Sequence, residues 1–318
     1  MSKPLLYIHV RNAKHFLRWE LPEFRRYFEL VDHPSESSLL LSFGPDALES
    51  AAALPARKRF AVLFPGFSHN PVTDLRTREL HLRLIAGFDQ VFINPGPLEI
   101  AYATAGNVTL YPFSIDVDFV GRHRTRTTLD SLLHVSHDNP QKDWQRSASI
   151  MAKTGLRFEV YPPRDAQVLQ AHVDRIDRLN AIRRRIGLDA KSRLPVGYFD
   201  HRSTVKKYGE YDGFVHVARN VGHIEFIDGK YTASLIEAGV TGAIVFWHDT
   251  WGLGNGLETV FDLPVRTADA AARLLEIRSS LDIERHSRAT REEMITTFNP
   301  RRSVAIRAER MIELDDAR

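Results

Sequence analysis

Short runs of aliphatic, β-branched and aromatic residues alternate along this chain with longer stretches of helical periodicity, and no other feature limits its fold so strongly. In the first part of the chain the runs are Leu5–Val10, 38–43, 59–64, Gln90–Ile93 and 108–111. Each is too short for a helix and carries little polar alternation, so each predicts a strand buried on both faces. Strands of that kind belong to parallel sheets covered by helices on either side. Helices are predicted over 20–30 and 73–86, the second announced by Asn70-Pro71.

From 113 to 126 the periodicity lapses into Asp116, Asp118, Gly121 and a basic run, which reads as a linker. A second series then begins. Strands are predicted at 132–135, 156–161, 195–199, 213–217 and 243–247, with helices at 143–153, 166–186, 268–277, 283–296 and 303–314. At 318 residues the chain is long enough for two domains with a core each, and the economical division falls near residue 125.

Composition removes several functional classes. Basic and acidic residues number 14 against 13 up to Thr125 and 29 against 27 beyond it, so neither half presents a nucleic-acid patch. Local basic clusters at 57–59, 122–126 and 183–185 read as solvated faces. The absence of cysteine excludes a disulfide framework, a zinc ribbon and a thiol nucleophile, and it accords with a reducing compartment. The N-terminal MSKPLLYIHVRN returns to charge too soon for a signal peptide, and the longest apolar stretch falls far below the roughly 18 residues of a membrane span. The expectation is a cytoplasmic protein whose only membrane contact would be peripheral, at the inner face.

The stretch 228–260, DGKYTASLIEAGVTGAIVFWHDTWGLGNGLETV, carries most of the functional signal. It reads as a short helix bearing Glu237, a glycine stop, a buried strand, and a glycine-rich loop opening a second helix with Glu258. Asp228 is placed to cap the first helix, Gly229 to let the backbone approach a ligand, and Lys230 to add charge beside Tyr231 and Thr232. Helix N-termini and backbone N–H groups around Gly256 and Leu257 suit an anion, and a carboxylate nearby accepts hydroxyl hydrogens. A nucleotide diphosphate attached to a sugar presents both kinds of group. Glu237 sits late in its helix, where the macrodipole disfavours an acid, so a ligand role is attractive: its two oxygens suit the 2′- and 3′-hydroxyls of a ribose. Gly252, Gly254 and Gly256 are spaced G-x-G-x-G, not as the dinucleotide fingerprint, and no G-x-S-x-G elbow is present.

From about Val108 onward the order of motifs resembles the GT-B glycosyltransferases, in particular the retaining group called family 4. VTLYPFSIDVDF (108–119) resembles the family's inter-domain segment. LLHVSHDNPQKDW (132–144) resembles the strand and loop whose Arg and Lys hold the diphosphate. Residues 211–242 resemble the strand, loop and helix with two glutamates eight residues apart, and Phe298-Asn299-Pro300 resembles the start of the tail that returns to the first domain. Two positions depart from the pattern: His137 stands where the family has Arg, and Gly229, beside Asp228, stands where it has the first glutamate. Lys142 and Glu237 match.

The resemblance implies an α/β fold of two Rossmann-like domains facing across a cleft (GT-B). Residues 1–125 would form the acceptor-side domain, 126–300 the nucleotide-sugar domain, and 301–318 a helix returning towards the first. It implies transfer of a sugar from a nucleotide diphosphate sugar, as co-substrate, to a glycan, lipid-linked or small-molecule acceptor, with retention and no obligatory cofactor or metal. Lys142 would neutralise the departing diphosphate. His137, Asp228, Gly229, Lys230, Tyr231, Thr232, Glu237, Gly256, Leu257 and Glu258 would hold the donor. On the acceptor side, loops of the first domain offer His9, Asn12, His69 and Asn70, with His69 the candidate for contact with the reacting groups. Two alternatives stand beside this reading: a degenerate GT-B module that binds without turnover, and a GT-A-type enzyme using the D-x-D of Asp116 and Asp118 with a divalent cation.

Overall fold

The computed structural model describes residues 3–64, 71–72, 74–111, 114–118, 123–136, 142–162, 178, 181–183, 185–186, 201–218, 230–248, 252–254 and 256–317. The first sheet contains β1 (Leu5–Val10), β2 (Glu29–Leu30), β3 (Leu39–Phe43), β4 (Lys58–Leu63), β5 (Gln90–Ile93) and β6 (Val108–Leu110). Its strands are parallel and ordered β2-β1-β3-β4-β5-β6. Strand side chains alternate between faces. Leu39, Leu41 and Phe43 therefore pack with Phe24 of α2 (Leu21–Tyr27), while Leu40 packs with Leu48 and Ala51 of α3 (Leu48–Ala52). The layer over that second face also includes α4 (Leu75–Ile85) and α5 (Pro97–Ala101). The short helix α1 (Lys14–Leu17) follows β1.

The second sheet contains β7 (Ser131–Val135), β8 (Arg157–Tyr161), β9 (Gly213–His216), β10 (Ile244–Trp247) and β11 (Val260–Asp262). Among the described residues they are parallel and ordered β11-β10-β9-β7-β8. One face is covered by α6 (Trp144–Lys153) and α9 (Thr267–Ser280). The other is covered by α7 (His201–Glu210), α8 (Ala233–Val240) and α10 (Ile283–Phe298). The last helix, α11 (Pro300–Asp316), buries Val304, Ala308 and Met311 among the side chains of the first sheet.

Two connections join the sheets side by side, and Ile115 N–H donates to Phe298 O at 3.1 Å where they pass. A buried ion pair fastens the crossing: Arg307 Nη2 of α11 lies 2.8 Å from Glu20 Oε1. The Arg307 guanidinium sits over the Tyr111 ring at 4.7 Å and the Phe24 ring at 5.3 Å, and Ser114 Oγ donates to the same Glu20 carboxylate. Such a pair contributes geometry more dependably than net stability, because desolvating both ions offsets their attraction.

Several sequence expectations are corrected. The helix expected over 20–30 ends at Tyr27, since Phe28 turns extended and inserts into the core, and Glu29–Leu30 add the edge strand β2. Asp74, not Asn70-Pro71, caps α4, accepting from Arg76 N–H at 3.0 Å. The strand expected at 195–199 and most of the helix expected over 166–186 lie outside the described residues. No helix among the described residues is long and apolar enough to cross a membrane.

Candidate functional site

In each sheet the chain places two strands on opposite sides of an earlier one, and ligands in open α/β sheets bind outside the carboxyl ends at such a reversal. The reversals fall between β1 and β3 in the first sheet and between β7 and β9 in the second.

Of the donor-side candidates, Lys142 stands beside the β7/β9 reversal. His134 of β7 is buried, and its Nδ1 lies 2.9 Å from Val215 O. A carbonyl only accepts, so Nδ1 carries a hydrogen, and Nε2 lies 2.8 Å from Ser136 Oγ. That pair ties the root of the loop after β7 to the neighbouring strand. At the loop's far end Lys142 precedes Asp143, the residue before α6, held at φ 31°. His216, the last residue of β9, is buried, and among the described residues neither ring nitrogen has a hydrogen-bond partner. Burial, followed by the positive charge of Lys142, drives its pKa down to about 3, so the imidazole is neutral at pH 7. The Lys142 charge therefore reaches the end of β9.

Glu237 lies in α8 and is 9% exposed, a buried carboxylate facing the fully buried Tyr208 of α7. The Tyr208 phenol is pushed well above its usual range, first by burial and then by the charge of Glu237. Thr232 is the N-cap of α8, its hydroxyl accepting from Leu235 N–H at 3.4 Å. The helix therefore begins later than an Asp228 cap requires, and the capping role expected of Asp228 passes to Thr232. Before the cap, Lys230 Nζ lies 5.5 Å from the Tyr231 ring centre and 3.5 Å from Leu253 O in the glycine-rich loop. Gly256 adopts φ 68°, and a Cβ there would lie 3.0 Å from the Tyr231 hydroxyl. Gly256, Tyr231 and Lys230 thus form one cluster.

The glycine-rich loop does not open a helix. Glu258 and Thr259 form a turn leading into β11, and Glu293 of α10 accepts from Glu258 N–H at 2.7 Å, Thr259 N–H at 3.0 Å and Thr259 Oγ1 at 2.6 Å. The Glu258 amide is therefore already engaged, its side chain is exposed, and Leu257 is buried.

The two sheets meet at this cluster. Gly96, between β5 and α5, has φ 132°, and a Cβ there would lie 2.6 Å from Lys230 N. Glu99 of α5 accepts from Gly96 N–H at 2.6 Å, and its charge helps raise the Tyr231 pKa after burial. Neither Gly96 nor Glu99 stands out in sequence, because the contact joins segments more than a hundred residues apart. Gly96→Ala is expected to lower stability by about 1–3 kcal/mol, from the strained φ and the displaced Lys230 backbone. An unaltered midpoint in urea unfolding would show that the approach tolerates a side chain.

On the first sheet, His9 lies within β1 rather than in a loop, half-buried, with Nε2 2.8 Å from Ser50 Oγ. Burial, then Arg11, lowers its pKa, while Asp46 opposes them. Asn12 follows β1, and its N–H donates to Asp46 Oδ2 at 2.9 Å, beside the β1/β3 reversal. His69, Asn70, His137, Asp228 and Gly229 lie outside the described residues. Asp116 is half-buried and Asp118 exposed, both in the connection between the sheets. Among the described residues no group of three or more His, Asp or Glu could hold a metal ion.

No protein-family model matches the chain, and no curated protein matches its sequence. Solved structures do match along its whole length. A sucrose-phosphate synthase from Thermosynechococcus elongatus is 13% identical with a TM-score of 0.68, covering 100% of both chains. A glycosyltransferase from Rickettsia africae is 9% identical with a TM-score of 0.64, over 99% of both chains. HepE of Anabaena, in complex with UDP-glucose, is 11% identical with a TM-score of 0.59, over 99% of this chain and 100% of that one. At such identities the likeness establishes the fold. The chain has the GT-B architecture, two α/β units built on parallel sheets.

Proposed function

We propose that this chain is a glycosyltransferase that moves a sugar from a uridine diphosphate donor to a hydroxyl-bearing acceptor. The observation that carries the reading is the position of Lys142 at the β7/β9 reversal, where its charge acts on His216 at the end of β9; the buried carboxylate of Glu237 in α8 supplies the second donor-side group. HepE, whose structure contains UDP-glucose, supports uridine as the donor base. The proposed division is 1–125 for the acceptor side and 126–300 for the donor, with 301–318 returning to the first unit. Glu237 accepts from the ribose hydroxyls. Lys230, Tyr231, Thr232, Gly256 and Leu257 frame the diphosphate and sugar, together with His137, Asp228 and Gly229; Glu258 sits at the rim.

In the reaction proposed, the bond between the sugar's anomeric carbon and the diphosphate oxygen breaks, and Lys142 neutralises the charge that develops on that oxygen. The acceptor oxygen bonds to the same carbon on the same face, and its proton passes to the departing diphosphate. That route requires neither a metal nor a protein nucleophile. His9, Asn12, His69 and Asn70 are the residues proposed for the acceptor side, with His69 the candidate for contact with the reacting groups. The acceptor is a glycan, a lipid-linked sugar or a small molecule.

Thermal unfolding of the wild type and Glu237→Ala in UDP, GDP, ADP, CMP and TDP, each with and without magnesium, tests the donor site. UDP at 100 times its dissociation constant should stabilise the wild type by about 2.7 kcal/mol without metal, and the variant by much less. Stabilisation only with magnesium would transfer the reading to Asp116 and Asp118. UDP binding without turnover on any acceptor would make the chain a binding module, and no shift with any nucleotide would sink the proposal.

A further inference from the structure

At the opposite, amino-end edge of the second sheet, a groove of about 450 Å³ lies between the connection from the first sheet and helix α10. His123 and Arg124 line one wall, Arg288, Arg291 and Glu292 the other, and Gly242 lies between α8 and β10 at the base. Its volume suits a small ligand rather than a polymer.

The charges are not equivalent. Arg124 pairs with Asp212 at 2.7 Å, and Arg288 pairs with Glu284 one turn earlier in α10. Arg291 has no ion-pair partner among the described residues, and its Nε is buried without a hydrogen-bond acceptor. A buried donor on a permanently charged group costs free energy unless a ligand satisfies it. The acidic ends of nearby helices cannot do so. The carbonyl of Thr241, at the end of α8, already accepts from the Arg124 N–H and from the Arg126 guanidinium. A planar guanidinium fork matches the oxygens of a phosphate, and two further guanidinium groups border the same groove. Glu292 tempers the field at the rim, which disfavours a long polyanion.

We propose that this groove binds a phosphate-bearing anion, a phosphomonoester or the head group of an anionic lipid, with Arg291 as the central contact. The site is separate from the donor site, which lies at the strands' carboxyl ends, and it does not depend on the chain being a glycosyltransferase.

Calorimetric titration with inorganic phosphate and with glycerol 3-phosphate tests it on the wild type, Arg291→Gln and Lys142→Ala. The dissociation constant of the groove should rise about tenfold or more in Arg291→Gln, whereas the binding event lost in that variant should persist in Lys142→Ala, which alters only the donor site. Sedimentation with phosphatidylglycerol vesicles, against phosphatidylcholine vesicles, separates the two sources. Arg291-dependent binding to the anionic vesicles assigns a lipid head group. Binding of the soluble phosphates without vesicle binding assigns a soluble phosphomonoester. Arg288→Gln, at an exposed position on the rim, should weaken binding several-fold and serves if Arg291→Gln does not fold. A wild type that binds none of the probes overturns the proposal, as does phosphate binding lost in Lys142→Ala but retained in Arg291→Gln.

Discussion

Replacing Lys142 with alanine is expected to lower turnover of a uridine diphosphate sugar by about 10²–10³-fold, the usual consequence of removing one group that meets charge developing in the transition state. The fold should scarcely notice. Lys142 stands outside α6, before the residue that begins it, and is only half-buried. A change there belongs with surface substitutions, within about 0.5 kcal/mol in stability. The two readouts therefore separate chemistry from folding. A third readout comes from His216, whose pKa is lowered first by burial and then by the Lys142 charge. Removing the charge should raise it, while burial keeps the ring neutral at pH 7, and imidazole NMR shifts on titration towards acid report the difference. Wild-type turnover in Lys142→Ala would refute the phosphate role even if UDP still bound.

The parts of the fold legible in sequence were those in which burial dictates residue type over a whole element. Gln90–Ile93 and Ile244–Trp247 are buried at every position, so their apolar runs had one reading. The α10 and α11 regions were legible because long helices repeat their apolar face several times. What escaped was short or locally ambiguous. Helices α3 and α5 are about a turn long, too brief for periodicity to show, and β2 is only two residues. The glycine-rich loop misled because spacing alone cannot reveal that Glu293, on a distant helix, holds the turn at Glu258 and Thr259. Of the proposed site, Lys142 and Glu237 were singled out through their motif context. His216 was not, since a histidine in an apolar strand gives no sign that the Lys142 charge will reach it on folding. Gly96 was equally silent, its purpose being set by a backbone that comes within reach only on folding.

Arg126 reverses the sequence reading of its own cluster, and its replacement should be the most damaging to folding. The basic run at 122–126 reads as solvated, yet Arg126 is 0% exposed. Among the described residues no carboxylate hydrogen-bonds its guanidinium. Instead it donates to Tyr208 O at 2.6 Å, to Tyr211 O at 3.0 and 3.1 Å, and to the carbonyls of Thr241 and Arg124. Tyr208 and Tyr211 bracket the end of α7, and Thr241 ends α8. Helix C-termini present unpaired carbonyls and partial negative charge, so one cation closes two helices together. Burial, then the neighbouring Arg124, lowers the Arg126 pKa to about 9, with Asp212 opposing, which leaves the group charged at neutral pH. Methionine would fill much of the volume but strand those carbonyls, and on the order of 3–5 kcal/mol of stability should be lost. Lysine retains the charge but not the planar fork that reaches both helix ends, so it should recover only part of the loss. Because α8 carries Glu237 and its Thr232 cap, UDP stabilisation should weaken along with the fold in Arg126→Met, whereas Lys142→Ala leaves the fold intact. Urea midpoints for the methionine and lysine variants measure the ordering, and a methionine variant as stable as the wild type would mean that the two helix ends find other partners.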